Sequence, residues 1–313
     1  MWSGKHDPKE DARALRAAGG NEDAIIKIIT KRTNDYIQKI CEQYKLMYRK
    51  DLISELICTL GEDVKEVIIA LMIPRYDYYA IQLKKILTEE EVNLTAIVEI
   101  VCPLFDYERA GVEDAYRRIY ANVLACQSGD DKEDTLGIDM KRANVPWWAR
   151  ELFKSIFNVK RYAYLRDGSK PARYRAQQLN CSIEYGDGIR TLIYILFQHH
   201  KPERDRILGA YREEYGNLED DIRENFFDIQ QEVLLAILRC VKAPSLFLEN
   251  CLLDKPEDHT TLIRIVVTRS ERNYRTFSDF IKVSILPSHR LTTVLLQYRT
   301  SGSLQKWLLA IVQ

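Results

Sequence analysis

Between Asn158 and Arg175 the chain reads NVKRYAYLRDGSKPARYR, setting Lys160, Arg161, Arg166, Lys170, Arg173 and Arg175 against a single acid, Asp167, and among Tyr162, Tyr164 and Tyr174. Cations interleaved with aromatic rings can meet anionic lipid headgroups or nucleic acid. The same composition suits a solvated linker leading into a helix. Lys160, Arg161, Arg166 and Lys170 are the candidate lipid- or anion-binding residues. Just upstream, Trp147 and Trp148 follow Pro146 at a helix start. They could dip into a bilayer interface, but Leu152 and Ile156 stand at helical spacing from them, and core packing is the expectation. His199 and His200 are the only histidine pair, and His199 closes an apolar stripe, which points to packing rather than proton transfer. The chain has no P-loop, H-E-x-x-H, G-x-S-x-G or EF-hand loop, so the reading is non-enzymatic.

The 313 residues can bury a sizeable core, and 46 Lys and Arg offset 46 Asp and Glu. Global charge therefore selects neither nucleic acid nor membrane, and any electrostatic partner must be met by a local patch. Seven dispersed cysteines without a C-x-x-C spacing fit reduced thiols in a cytoplasmic protein better than disulfides or zinc. The charged start, with Lys5, His6, Asp7, Lys9 and Glu10, does not read as a secretory leader, and no apolar run approaches a membrane span. Membrane contact, if made, is expected to be peripheral.

The elements that must carry these residues announce themselves by repetition. Ile25, Ile28, Ile29 and Arg32 share offsets with Ile97, Ile100, Val101 and Leu104, with Leu192, Ile195, Leu196 and His199, and with Leu262, Ile265, Val266 and Arg269. Each set lies on one face of an α-helix and must be buried. Successive stripes end 72, 95 and 70 residues apart, which suggests two pairs of repeats joined by a longer connection. A period near 70 residues suits a bundle of four or five short helices.

Helices are expected over Asp7–Ala18, Glu22–Arg32, Asn34–Met47, Lys50–Leu60 and Asp63–Ile73, and again over Ala243–Leu253, Asp258–Arg269, Glu271–Ser284, Ser288–Tyr298 and Ser303–Val312. Almost nothing alternates as a strand does, so the chain reads as all-α. The expected organisation is repeat 1 over residues 1–75, repeat 2 over 76–158, a basic linker over 159–175, repeat 3 over 176–242 and repeat 4 over 243–313.

The segments DHTTLIRIVVTRSERNYRTFSDFIK and TSGSLQKWLLAIVQ, with EDAIIKIITKRTNDYIQKICEQYKLMYRKDLISEL and YREEYGNLEDDI, resemble annexins. The likeness runs through essentially the whole chain and is weakest from Cys126 to Arg175; it resembles an outlying branch, such as the alpha-giardins or an invertebrate annexin. The resemblance implies four five-helix repeats in a slightly curved disc, with calcium bridges between its convex face and acidic phospholipid. It also implies where calcium ligands belong: a G-x-G-T loop between the first two helices of a repeat, and a carboxylate about 39 residues later.

Set against that pattern, no repeat keeps the whole site. Repeat 1 has Gly19 and Gly20, but Thr59 stands at the distant position; repeat 2 has Glu89, Glu90 and Glu91 in the loop, with Asp130 or Asp131 as the distant acid. Repeat 3 keeps Gly186 and Asp187, while repeat 4 has Asp254 and Glu257 in the loop and Arg299 in place of the acid. Acids have gathered in the loops themselves, at Glu22 and Asp23, Glu89 to Glu91, Glu184 and Asp187, and Asp254, Glu257 and Asp258. These are either relocated ligands for weak or unconventional calcium binding, or helix caps. The resemblance therefore implies a peripheral protein of acidic phospholipid membranes, with cytoskeletal proteins as further partners and no nucleic acid. The alternative is a structural or cytoskeletal scaffold independent of calcium and lipid.

Overall fold

The structure, a computed structural model, describes residues 7–121, 135–157, 171–185, 188–199, 201–254, 258–270 and 300–312. All regular structure among them is helical, in four repeats of short helices.

In the first stretch α1 (Pro8–Ala18), α2 (Glu22–Ile29), α3 (Asn34–Tyr48), α4 (Leu52–Leu60) and α5 (Lys65–Met72) follow the expected boundaries to within a turn. The sequence specifies the starts through side-chain caps. Asp7, Asn21, Thr33 and Asp51 accept from the backbone N–H groups of Lys9, Ala24, Tyr36 and Ser54 at 2.9, 3.2, 3.4 and 2.8 Å. Each such cap contributes about 1 kcal/mol. Gly61, at φ 91°, ends α4 and leads through a 3-10 turn into α5.

The chain continues with α6 (Arg75–Leu87), α7 (Leu94–Val101), α8 (Asp106–Tyr120), α9 (Thr135–Arg142) and α10 (Trp147–Phe157). Next come α11 (Ala172–Tyr185), α12 (Gly188–Ile193), which runs into a π-helical turn over Tyr194–Gln198, α13 (Lys201–Glu214), α14 (Leu218–Asn225) and α15 (Asp228–Lys242). The last elements are α16 (Pro244–Asp254), α17 (His259–Ser270) and α18 (Gly302–Val312). The two further helices expected over Glu271–Ser284 and Ser288–Tyr298 lie outside the described residues.

The four stripes are buried as their spacing requires: Ile25 and Ile29, Ile97 to Val101, Leu192 to Leu196, and Leu262 to Val266 have almost no solvent exposure at their apolar positions. Their pairing differs from the expectation. One compact unit contains residues 1–78 with 248–313, the other residues 79–247. The first repeat thus packs with the fourth, α5 against α17, and the second with the third, α7 against α15. In the first unit Ile25, Ile29, Val67 and Ile68 share one core with Leu262, Val266, Trp307 and Leu308. Short sequence intervals reported only repeat length; burying the stripes chose partners from opposite ends of the chain.

Two buried arginines finish stripe helices in the second unit. Arg109 donates to Val101 O at 3.5 Å and Arg204 to Leu196 O at 3.2 Å. Each places a cation beside helix-terminal carbonyls that lack an intrahelical donor.

Candidate functional site

Among the described candidate residues, Gly19, Gly20 and Glu22 lie at the turn between α1 and α2, Glu89 to Glu91 at the turn between α6 and α7, and Asp254 at the end of α16. In the α1–α2 turn, Gly19 takes φ 55°, a conformation that favours glycine, and Asn21 N donates to Ala18 O at 2.8 Å. A Cβ added to Gly20 would sit 3.6 Å from Thr59 Cγ2. The turn and the end of α4 are therefore neighbours, which puts Thr59, where the resemblance expects a carboxylate, beside the loop. Thr59 Oγ1 instead donates to Glu55 O at 2.7 Å.

Glu22, a candidate ligand, is engaged elsewhere. Its Oε1 accepts from Trp307 Nε1 at 3.1 Å and its Oε2 from Lys306 Nζ at 3.2 Å, while Lys306 also pairs with Asp23 at 2.8 Å. The Lys306 ammonium holds the Asp23 carboxyl below its ordinary range. Glu22 thus serves the packing of α18 onto α2.

The α6–α7 turn is different. The side chains of Glu89, Glu90 and Glu91 are exposed and form no hydrogen bond or ion pair with any described residue, while the Glu89 backbone N–H donates to Ile86 O at 3.3 Å. Capping does not account for them, because the cap of α7 is Asn93, which accepts from Ala96 N at 3.0 Å. Asp258, by contrast, is a cap: its Oδ1 accepts from Thr261 N at 2.9 Å. Asp254 is exposed at the end of α16. Asp131, Gly186, Asp187, Glu257, Lys160, Arg161, Arg166 and Lys170 lie outside the described residues.

Calcium takes about six to eight oxygen ligands, drawn from carboxylates, backbone carbonyls and water. Among the described residues no three His, Cys, Asp or Glu side chains converge as a metal cage. The α6–α7 turn nevertheless has the right donor chemistry, carboxylates beside backbone carbonyls, whereas the α1–α2 turn can offer carbonyls and a neutral hydroxyl.

The described end of the basic segment, Arg173 to Arg175, lies in the first turn of α11. Arg173 pairs with Glu214 at 3.1 Å and Arg175 lies over the Tyr194 ring at 5.3 Å. His199 is buried, 3.7 Å from Glu203 and edge-on to Tyr194, as a packing residue would be. Core packing does not hold for Trp147. Its side chain is 60% exposed, because the buried face of α10 is formed by Ala149, Leu152, Phe153 and Ile156; Trp148 is half-buried.

One repeated polar device escaped the sequence reading. Tyr44, Tyr116 and Tyr211 donate to Glu55, Asp139 and Asp221 at 2.8, 2.7 and 2.7 Å. Arg16 and Lys84 approach the first two carboxylates from α1 and α6, and in the third repeat Tyr211 also donates to Asn180 of α11 at 3.2 Å. Each tyrosine stands 19 residues after the first residue of its stripe, a signal that was present in the sequence. Burial, with the carboxylate beside it, pushes the Tyr116 and Tyr211 hydroxyls well above the ordinary tyrosine range.

No described helix is long and apolar enough to cross a membrane. The family model described as Annexin matches residues 10–71. Annexin B10 of Drosophila melanogaster is 27% identical over 323 residues, covering 98% of this chain and 94% of that protein. Among solved structures, annexin III superposes with a TM-score of 0.83 at 25% identity, covering 98% of this chain and 94% of that one. Calcium-bound alpha-1 giardin gives a TM-score of 0.72 at 15% identity, covering 98% and 100% respectively, a likeness of fold.

Proposed function

We infer that this chain, a divergent member of the annexin family, is a non-enzymatic protein that binds the surface of acidic phospholipid membranes with the help of calcium. The observation that carries the reading is the α6–α7 turn: three exposed carboxylates, none spent on a salt bridge and none needed as a helix cap. Unspent carboxylates next to one another repel, and a divalent cation relieves that repulsion while keeping coordination positions open to lipid phosphate oxygens. Glu89, Glu90 and Glu91, with carbonyls of their turn, are the residues that would hold calcium there, and the ion would supply a Lewis acid for anionic headgroups.

Loss of the long-range carboxylate at Thr59 and the engagement of Glu22 with Lys306 and Trp307 support a weaker role for the α1–α2 turn. Calcium binding in this chain is accordingly of an unconventional kind, centred on loop acids. The test is co-sedimentation with phosphatidylserine vesicles in millimolar calcium and in excess chelator, with E89Q/E90Q/E91Q beside the natural chain. A calcium-dependent increment that the triple variant loses supports the reading. Absence of vesicle binding in both conditions favours a structural or cytoskeletal scaffold instead.

A further inference from the structure

The corner between α9 and α10 presents an exposed indole, and we propose that it is a calcium-independent membrane anchor: Trp147 seats at the headgroup–acyl boundary of an anionic bilayer while neighbouring cations meet lipid phosphates. The inference rests on the peripheral-membrane reading above and adds a second mode of attachment, at different residues.

The corner holds its indole outward. At the end of α9, Ala143 N donates to Asp139 O at 2.9 Å, Asn144 N to Lys141 O at 3.0 Å and Val145 N to Met140 O at 3.0 Å. Asn144 takes the left-handed φ of 54° that closes a helix, and Val145 is buried beneath the turn. Pro146 then sets the start of α10, its carbonyl accepting from Arg150 N at 3.0 Å. Trp147 lies nine residues before Ile156, roughly half a turn around the helix from it, so it cannot join the buried stripe. A side chain fixed in the open by its backbone loses little freedom on binding.

Charge complementarity names the occupant. Between residues 141 and 154 the chain carries Lys141, Arg142, Arg150 and Lys154 against one acid, Glu151. Lys141, Arg142 and Lys154 are exposed; the Arg142 side chain remains 64% exposed even with Asp139 at 3.6 Å. Tryptophan favours the wet edge of a bilayer, where its ring is in apolar surroundings and its N–H still finds a partner. Lysine and arginine beside it keep their charges at the headgroups. An exposed indole in a segment of net positive charge therefore fits an anionic lipid surface.

The other repeats show how such a corner sits. Gly20 beside Thr59, and Gly188 with Phe226 Cζ 3.1 Å from its added Cβ, show that the end of a repeat's fourth helix sits beside the start of its second. In the second repeat α10 packs on α7, the helix that follows the α6–α7 turn.

The test measures binding of the full chain to phosphatidylserine–phosphatidylcholine vesicles in excess chelator and in calcium, with phosphatidylcholine vesicles as control. In chelator, brominated acyl chains should quench the tryptophan fluorescence of the natural chain. W147A should bind about tenfold or more weakly there, with W147F restoring part of the loss and K141Q/R142Q weakening binding in a salt-dependent way. The calcium increment should persist in W147A, and its circular dichroism should be unchanged because the side chain is exposed. Equal chelator binding by W147A and the natural chain overturns the proposal, as does binding of the natural chain only with calcium; in both cases the calcium-assisted reading survives. Failure to bind in any condition sinks both.

Discussion

Trp307 donates its indole N–H to Glu22 Oε1 at 3.1 Å, fastening the last helix to the second across 285 positions of sequence. Trp307 is fully buried, so Glu22 is the acceptor that makes its burial tolerable. E22A should cost roughly 1–3 kcal/mol in urea unfolding, because it strands the indole N–H and breaks the Lys306 pair. E22Q keeps an acceptor and should cost less. Equal stability of E22A and the natural chain would contradict this account.

The same unit should weaken in acid. Glu55 is held below its ordinary range, first by the Tyr44 hydroxyl and then by Arg16 and Lys50, and Asp23 by Lys306. A folded-state pKa below the unfolded value gives stability that is present above the unfolded pKa and is lost as pH falls through the folded one. Melting temperature should therefore drop as pH is lowered below the ordinary carboxylate range, and E55Q/D23N should flatten that slope. A slope unchanged in the double variant would contradict it.

Gly188 marks a close approach of α11 and α12. A Cβ there would lie 3.0 Å from Ile183 Cα, a backbone atom that cannot step aside, and 3.1 Å from Phe226 Cζ. G188A should destabilise by about 1–3 kcal/mol through overpacking, measured by urea unfolding. A variant as stable as the natural chain would show that the helices separate freely.

Thiol reactivity should divide by burial. Cys58 and Cys181 are exposed, Cys102, Cys240 and Cys251 are buried, and burial pushes the Cys41 thiol up to about 12. In a C126S background, an aromatic disulfide reagent at neutral pH should titrate Cys58 and Cys181 quickly and Cys41 only on unfolding. Fast modification of Cys41, read by mass spectrometry, would contradict that placement.

Periodicity made the stripes and their helices legible, since burial of Ile25, Ile97, Leu192 and Leu262 follows from local spacing alone. The partner of each stripe was not legible, because Leu262 joining Ile25 in one core is a contact between distant positions. The exposure of Trp147 is illegible for a related reason: spacing to Leu152 and Ile156 points the tryptophan pair inward, but the buried face is centred on Ala149 and Phe153, away from Trp147. The tyrosine–carboxylate pairs could have been found from the constant 19-residue offset, a polar signal within an apolar search. For the candidate site, charge alone could not separate Glu22, spent on Lys306, from Glu89, which is paired with nothing described.

The most direct measurement of the central claim is the calcium increment in co-sedimentation with phosphatidylserine vesicles, natural chain against E89Q/E90Q/E91Q. The account predicts that calcium raises binding of the natural chain and that the triple variant falls back to the chelator level while remaining folded. An increment that survives neutralisation of all three carboxylates would contradict it.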